Sequence, residues 1–265
     1  MIDGALSIIK EKKYSRLFSI CSIINNVDEY GLMKQSFMDK GFDADVEYLV
    51  ADNRSGNNFD AYTAINRFLE EASGEFIIIV HQDVRCIDKA DSLIACLNNL
   101  QSLDPYWGVC GNAGGYGYKN SFYHMNDNGR IRHSKHLPAK VTSLDENLLI
   151  VKNSCNLSVS ADIKDFHFYG TDICIVADFL GYSCYVIAFM VDHLSSGSLE
   201  KMLHHQPWFI KKYGHKLRHR FIQTSCTKFY LSNSTSKNNF YNNRFIFFWV
   251  KATNRLSNIF KRITR

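Results

Sequence analysis

Five consecutive apolar residues, Phe76 to Val80, stand between Gly74 and an abrupt polar triplet, His81-Gln82-Asp83. This stretch restricts the fold more than any other in the chain. A continuous β-branched and aromatic run of that length suits a central strand covered on both faces. In open α/β sheets, ligands gather at the carboxyl ends of the strands. The segment GEFIIIVHQDVR (74–85) therefore predicts a buried strand that delivers polar groups to a site. Asp83, with a histidine two residues before it, reads either as part of a hard-metal or phosphate site or as a cap for the next turn.

The preceding residues give this strand its neighbours. Leu17–Ile24 predicts a first buried strand ending in Asn25-Asn26, followed by a helix from Asp28 to Lys40. Asp45–Ala51 predicts a second strand, which ends in the polar cluster Asp52-Asn53-Arg54. Ala61, Ile65, Phe68, Leu69 and Ala72 mark one face of a helix that Gly74 would close. Strands alternating with helices at this spacing imply right-handed crossovers and a parallel sheet. Asn25, Asp52 and Asp83 then share one edge. No G-x-G-x-x-G or Walker loop follows the first strand, so a nucleotide would be held by side chains and a metal.

Further along, Lys89–Leu100 predicts a helix. Residues 107–117 contain five glycines, which permit either close approach of backbone to a ligand or a flexible hairpin. Residues 118–140 are polar and read as a surface loop, with His124, His133 and His136 at no metal-ligand spacing. Leu148–Lys152 predicts a strand preceded by Asp145-Glu146. Ile173, Val176, Phe179 and Leu180 mark a short helix closed at Gly181, with Asp172 in its first turn. The helix dipole alone is reason for an acid there; the same placement would also fix an ionised carboxylate toward a cleft. Cys184–Val191 predicts one more strand, ending in Asp192-His193 and a small-residue loop.

At 265 residues the chain has room for one large α/β domain with an appendage. Its eight cysteines form no CxxC pair, which points to reduced, buried thiols in a cytosol instead of disulfides or a zinc site. The N-terminal MIDGALSIIKEKK has no secretory pattern, and no apolar stretch is long enough to span a bilayer. Charge is unevenly distributed. Residues 201–265 hold 14 of the 31 Lys and Arg and none of the 26 acids, which leaves residues 1–200 at a net −9. An acidic body with a basic, aromatic tail argues against nucleic acid as the partner. If helical, residues 240–265 would lie in an anionic membrane interface or pack on the domain or on another subunit.

Taken together, ADN (51–53), AIN (64–66) and GEFIIIVHQDV (74–84) resemble the nucleotide half of GT-A glycosyltransferases related to family two. HFYGTDICIVADFLGY (167–182) and DHLSSGS (192–198) are similar to the acceptor half of a bacterial branch of that group. The resemblance implies a Rossmann-like, mostly parallel central sheet flanked by helices. The glycosyltransferase domain would span 1–200, with a nucleotide half over 17–115 and an acceptor half over 116–200. A basic helical extension would occupy 201–265.

The resemblance also implies site roles. Asp52 faces the base of a nucleotide sugar, usually uridine, and Asn25, Asn53 and Gln82 wall the same pocket. Asp83 matches the last Asp of the D-x-D signature that binds Mn²⁺ or Mg²⁺ against the diphosphate. His193 matches a second metal contact, and Asp172 matches the catalytic base. Asp145, Glu146, Tyr169 and His81 fall where donor or acceptor sugar is handled. The first Asp of D-x-D is here His81, and imidazole moves the preference toward Mn²⁺.

The expected activity is inverting, metal-dependent transfer from a UDP-sugar to a glycan, lipid-linked at the cytoplasmic membrane face, in bacterial surface polysaccharide synthesis. A homo-oligomer is compatible with it. Two other classes remain: a sugar nucleotidyltransferase, which would need a basic Gly-rich loop where Asn25-Asn26-Val27-Asp28 stands, and a non-catalytic glycan- or sugar-nucleotide-binding protein of the same fold.

Overall fold

Arg16–Ile24 (β1), Val46–Asp52 (β2) and Gly74–Val80 (β3) run parallel in the order β2-β1-β3. Their register pairs Ile24 with Asp52 and Cys21 with Ile79, so the three carboxyl ends share one edge. This arrangement comes from a computed structural model that describes residues 12–117, 120–195, 199–216, 219–223, 228–243 and 245–246. The chain divides into two units, Met1–Leu199 and Glu200–Arg265.

Two helices make the crossovers. Val27–Met38 (α1) starts at Asn26, whose side chain accepts the N–H groups of Asp28 and Glu29. Those two acids also complement the positive end of the helix. Ala61–Glu71 (α2) starts at Asp60, which accepts the Thr63 N–H. Gly74 does not close α2, contrary to expectation. The helix ends at Glu71, and Gly74 opens β3, donating its N–H to Ser19 Oγ at 2.8 Å.

The first unit continues with Val84–Cys86 (β4), Ala90–Leu103 (α3), Trp107–Gly111 (β5), Ala113–Tyr116 (β6) and Asn120–Asp127 (β7). Arg130–His133 (β8), Ala139–Val141 (β9), Ser143–Leu144 (β10) and Leu148–Lys152 (β11) follow. Tyr169–Phe179 (α4), Ser183–Val186 (β12) and Val191–His193 (β13) complete it. The main sheet has the order β2-β1-β3-β11-β5-β12-β9, and a second sheet runs β10-β6-β7-β13-β4 with β8 beside β7. The architecture is thus mixed α/β, with a parallel-rich central sheet flanked by helices. Strand β11 is antiparallel to both β3 and β5.

Three local expectations are corrected. Residues 107–117 form two strands in different sheets, not a flexible hairpin. A Cβ on Gly114 would fall 2.4 Å from the Ser143 carbonyl oxygen, so the residue is small to let β6 lie against β10. Residues 118–140 are not simply a loop, since β7 and β8 form a hairpin. Asn128 (φ 50°) and Gly129 (φ 83°) both take the left-handed geometry its two-residue turn requires. Residues 184–191 are not one strand. β12 belongs to the main sheet and β13 to the second, so the chain changes sheets between them.

The core lies between the main sheet and the apolar faces of α1 and α3. Met33, Phe37, Phe42, Leu93, Leu97 and Trp107 are its bulky members. Phe42 packs against the rings of Phe18, Phe37 and Phe189 at 5.2–6.2 Å. Tyr62 and Ile65 of α2, and Ile173 and Ala177 of α4, are buried outside that cluster. The described cysteines are all free thiols.

In the second unit, Leu199–Lys216 (α5) carries exposed Leu203, Trp208 and Ile210. Arg220–Gln223 (β14) and Lys228–Leu231 (β15) pair antiparallel, and Thr235–Tyr241 (α6) follows. The extension is therefore not purely helical. Most of the segment 240–265, expected to be amphipathic, lies outside the described residues. No described helix is long and apolar enough to cross a membrane.

Candidate metal centre

The end of β3 and the end of β13 bring three ligand-bearing residues together. His81, Asp83 and His193 each offer a ligand atom, and these atoms lie within 4.8 Å of one another. Asp83 Oδ1 is 3.9 Å from His81 Nδ1 and 3.8 Å from His193 Nε2. The other carboxylate oxygen, Oδ2, accepts a hydrogen bond from Ser195 Oγ. Strand pairing fixes the group: β13 pairs with β4 so that His193 sits opposite Val84, and Leu194 N–H donates to the Asp83 carbonyl. His193 Nε2 is buried with no hydrogen-bond partner. Buried polar atoms are nearly always satisfied, so an orphan nitrogen aimed at a carboxylate is what a cation site looks like without its ion.

The side chain of His81 is set by its other neighbours. Its Nε2 lies 2.7 Å from the Tyr169 hydroxyl, which donates its single proton to the Glu146 carbonyl at 3.0 Å. Desolvation of the ring lowers the imidazole pKa, against the opposing pull of Asp83. The backbone of His81 donates to the carbonyl of Asn147 at 3.2 Å. The amide of Asn147, just before β11, is buried and has no hydrogen-bond partner for either polar atom.

Tyr169 reaches this place because α4 starts against β10. A Cβ on Gly170 would sit 2.4 Å from the Leu144 carbonyl oxygen, so only glycine lets the helix come so close. Phe168, just before α4, holds φ 66°, an uncommon conformation for a bulky residue. The carboxyl of Glu146 caps the helix from outside, accepting backbone N–H groups of Gly170, Tyr169 and Phe168. Burial nonetheless pushes its pKa up to about 8.

The remaining expected residues are placed as follows. Asn25 and Gln82 are joined at the strand ends: Gln82 Oε1 accepts the N–H groups of Asn25 and Asn26 at 3.0 and 3.1 Å. Asp52 is clasped by Arg54, whose hydrogen bonds lower its pKa to about 2. Asn53 is turned inward, and its amide holds both backbone groups of Phe59. Asn66 clamps both backbone groups of Val159 in the same manner. Asp145 is exposed and interacts electrostatically with Arg132, Asp127 and His193. Asp172 does occupy the first turn of α4, where its side chain is turned inward. It is 0 % exposed, and its two oxygens accept the Ser160 N–H and Oγ–H, each at 2.7 Å.

Sequence reasoning missed Arg132. It lies 3.6 Å from Asp127 and stacks over the Tyr123 ring at 3.7 Å. The signal was present: an Asn-Gly pair between two alternating segments announces the hairpin that carries both residues.

No protein-family model matches this chain. Among solved structures, it is similar to "A197 from STIV", with a TM-score of 0.41 and 14% identity over 68% of this chain and 86% of that one. It is also similar to S. aureus TarS, with a TM-score of 0.44 and 14% identity over 68% of this chain. The matched region spans 36% of that TarS chain. Among curated proteins, "ATP synthase subunits region ORF 6" of Fuscovulum blasticum is 33% identical over 206 residues, covering 74% of this chain and 83% of that protein. At that identity and coverage, this chain belongs to the same family as the Fuscovulum blasticum ORF 6 protein.

Proposed function

We propose that this chain is a metal-dependent glycosyltransferase that takes a nucleotide-diphosphate sugar, a UDP-sugar in the first instance, and passes the sugar to a glycan. One observation carries the reading. Asp83 and His193 converge with His81 at the sheet edge where Asn25 and Asp52 close the neighbouring strands. The order of sequence motifs supports it independently.

In this reading His81, Asp83 and His193 hold Mn²⁺ or Mg²⁺. The ion would offset the negative charge that builds on a leaving diphosphate. The nucleotide lies along the ends of β1 and β2, between Asn25 and Asp52. The acceptor hydroxyl must lose a proton, and its base must be reachable. Asp145 is reachable and Asp172 is not, so Asp145 takes the proton. Asp172 can do so only if Ser160 swings away. A single base with in-line attack inverts the anomeric carbon, since no second carboxylate acts as nucleophile. A lipid-linked acceptor at the inner membrane face suits the basic residues of α5 and the exposed Leu203, Trp208 and Ile210.

The closure of Asp172 favours a second reading, in which the protein binds a sugar nucleotide without turnover. Thermal unfolding against a set of nucleotide sugars, with and without Mn²⁺, tests both. A metal-dependent rise in melting temperature with one donor supports the shared part. UDP release in the presence of a glycan acceptor then separates transfer from binding. No stabilisation by any nucleotide sugar contradicts both.

A further inference from the structure

We infer that His81, Asp83 and His193 form a two-imidazole, one-carboxylate centre that binds a borderline transition ion such as Zn²⁺ or Co²⁺ in preference to Mg²⁺, with no nucleotide present. Tyr169 is the positioning residue that makes His81 a ligand through Nδ1. The inference concerns the same site as the proposed transferase reaction but does not depend on that reaction.

The tautomer follows from counting protons. The Tyr169 hydroxyl has one, and it goes to the Glu146 carbonyl, which can only accept. At 2.7 Å the His81 Nε2 must therefore be the donor to the phenol oxygen. Nδ1 is left with a lone pair, on the side of the ring that approaches Asp83. A ligating histidine commonly donates its other ring N–H to an acceptor, which fixes the ring and the nitrogen that binds metal. Here that acceptor is Tyr169, held in turn by backbone at the start of α4.

The donor set decides the ion. Mg²⁺ is held by oxygen ligands and keeps much of its water. Imidazole suits Zn²⁺, Cu²⁺, Ni²⁺ and iron, and affinity at such sites rises from Mn²⁺ through Fe²⁺ and Co²⁺ to Cu²⁺ before falling back at Zn²⁺. Two of the three ligands here are imidazoles, and one of them, His193 Nε2, is buried and unpartnered. A tetrahedral ion with bonds of about 2.1 Å sets its ligands about 3.4 Å apart. The separations of 3.8 and 3.9 Å from Asp83 Oδ1 require closure by a few tenths of an ångström, and the ligand atoms of all three residues lie within 4.8 Å of one another.

The experiment is titration of the metal-stripped full chain with ZnCl₂, CoCl₂ and MgCl₂, without nucleotide, followed by calorimetry and by the visible spectrum of the Co²⁺ form. One equivalent of Zn²⁺ or Co²⁺ should bind at least about 100-fold more tightly than Mg²⁺. Tyr169→Phe should weaken Co²⁺ binding about 10- to 100-fold and alter its spectrum. In a His81→Ala background the same substitution should have no further effect on binding. His81 retains 40% side-chain exposure, so His81→Ala is a second test that does not rely on Tyr169→Phe folding.

Equal affinity for Mg²⁺, or Co²⁺ binding unchanged in His81→Ala, would overturn the inference. So would metal uptake seen only after UDP is added, a result that leaves the transferase reading intact. Conversely, nucleotide-free Zn²⁺ binding in a protein that no nucleotide sugar stabilises would uphold the centre and remove the transferase.

Discussion

Gln82 Oε1 accepts the backbone N–H groups of Asn25 and Asn26, while Gln82 Nε2 donates back to Asn25 Oδ1 at 2.5 Å. The residue between His81 and Asp83, just past β3, thus ties the end of that strand to the end of β1. It also sets Asn26, the cap of α1. Gln82→Ala removes three hydrogen bonds at an exposed position, each worth about 1 kcal/mol or less there. The expected result is a loss of about 1–2 kcal/mol in denaturant unfolding, with weaker UDP binding. Unchanged stability and unchanged binding would show that the link is incidental.

Asp172 is expected to be a stability residue. Both of its oxygens accept from Ser160 in a site closed to water. Asp172→Asn forces an amide NH₂ against one of these donors. Hydrogen bonds to charged groups are worth about 1.5–3 kcal/mol each, so a loss of about 3 kcal/mol is expected in urea unfolding. Ser160→Ala keeps the backbone donor and should cost about half as much. A fully stable Asp172→Asn protein that has lost sugar transfer would instead return the base role to this residue.

Glu146 should leave a signature in the pH dependence of stability. Its native pKa, raised to about 8 by burial, exceeds the unfolded value of about 4.3. Between these values the native state holds a proton that the unfolded state has lost. Stability from this group is therefore complete below pH 4.3 or so, falls as pH rises through the window, and levels off above about 8. Glu146→Gln should flatten the melting-temperature profile across that range. An unchanged slope would show that the native carboxyl is already ionised.

Asp145→Asn should separate binding from chemistry. Its exposed side chain makes a modest change in stability the expectation, within about 0.5 kcal/mol. Donor-dependent thermal stabilisation should persist while transfer falls by a factor of about 100 or more. Full transfer in Asp145→Asn would exclude it as the base.

The parts legible in the sequence were those with short-range causes. Phe76–Val80 reads as a buried strand because its β-branched run has no polar face, and Ala61, Ile65, Phe68 and Leu69 read as a helix because they recur every three to four residues on one face. The antiparallel direction of β11 was not legible, because a continuous apolar run looks the same from either end. Nor was the division between β12 and β13, where Ile187 and Phe189 are buried and keep the apolar pattern unbroken through the change of sheet. The contacts that define the site are long-range: His81 to Tyr169, Asp83 to Ser195, and Glu146 to the start of α4. Residue types suggested which side chains matter, but only packing shows that the Tyr169 hydroxyl meets His81 Nε2 and that Asp172 faces Ser160.

Calorimetric titration of UDP into the full chain, in saturating Mn²⁺, tests the central claim most directly. The account expects binding that a chelator abolishes and that Asp83→Ala weakens at least about tenfold, with the far-UV spectrum and melting temperature of the variant near those of the parent. UDP binding of equal strength in Asp83→Ala, or in the presence of chelator, would contradict a nucleotide site organised around the His81, Asp83 and His193 cluster.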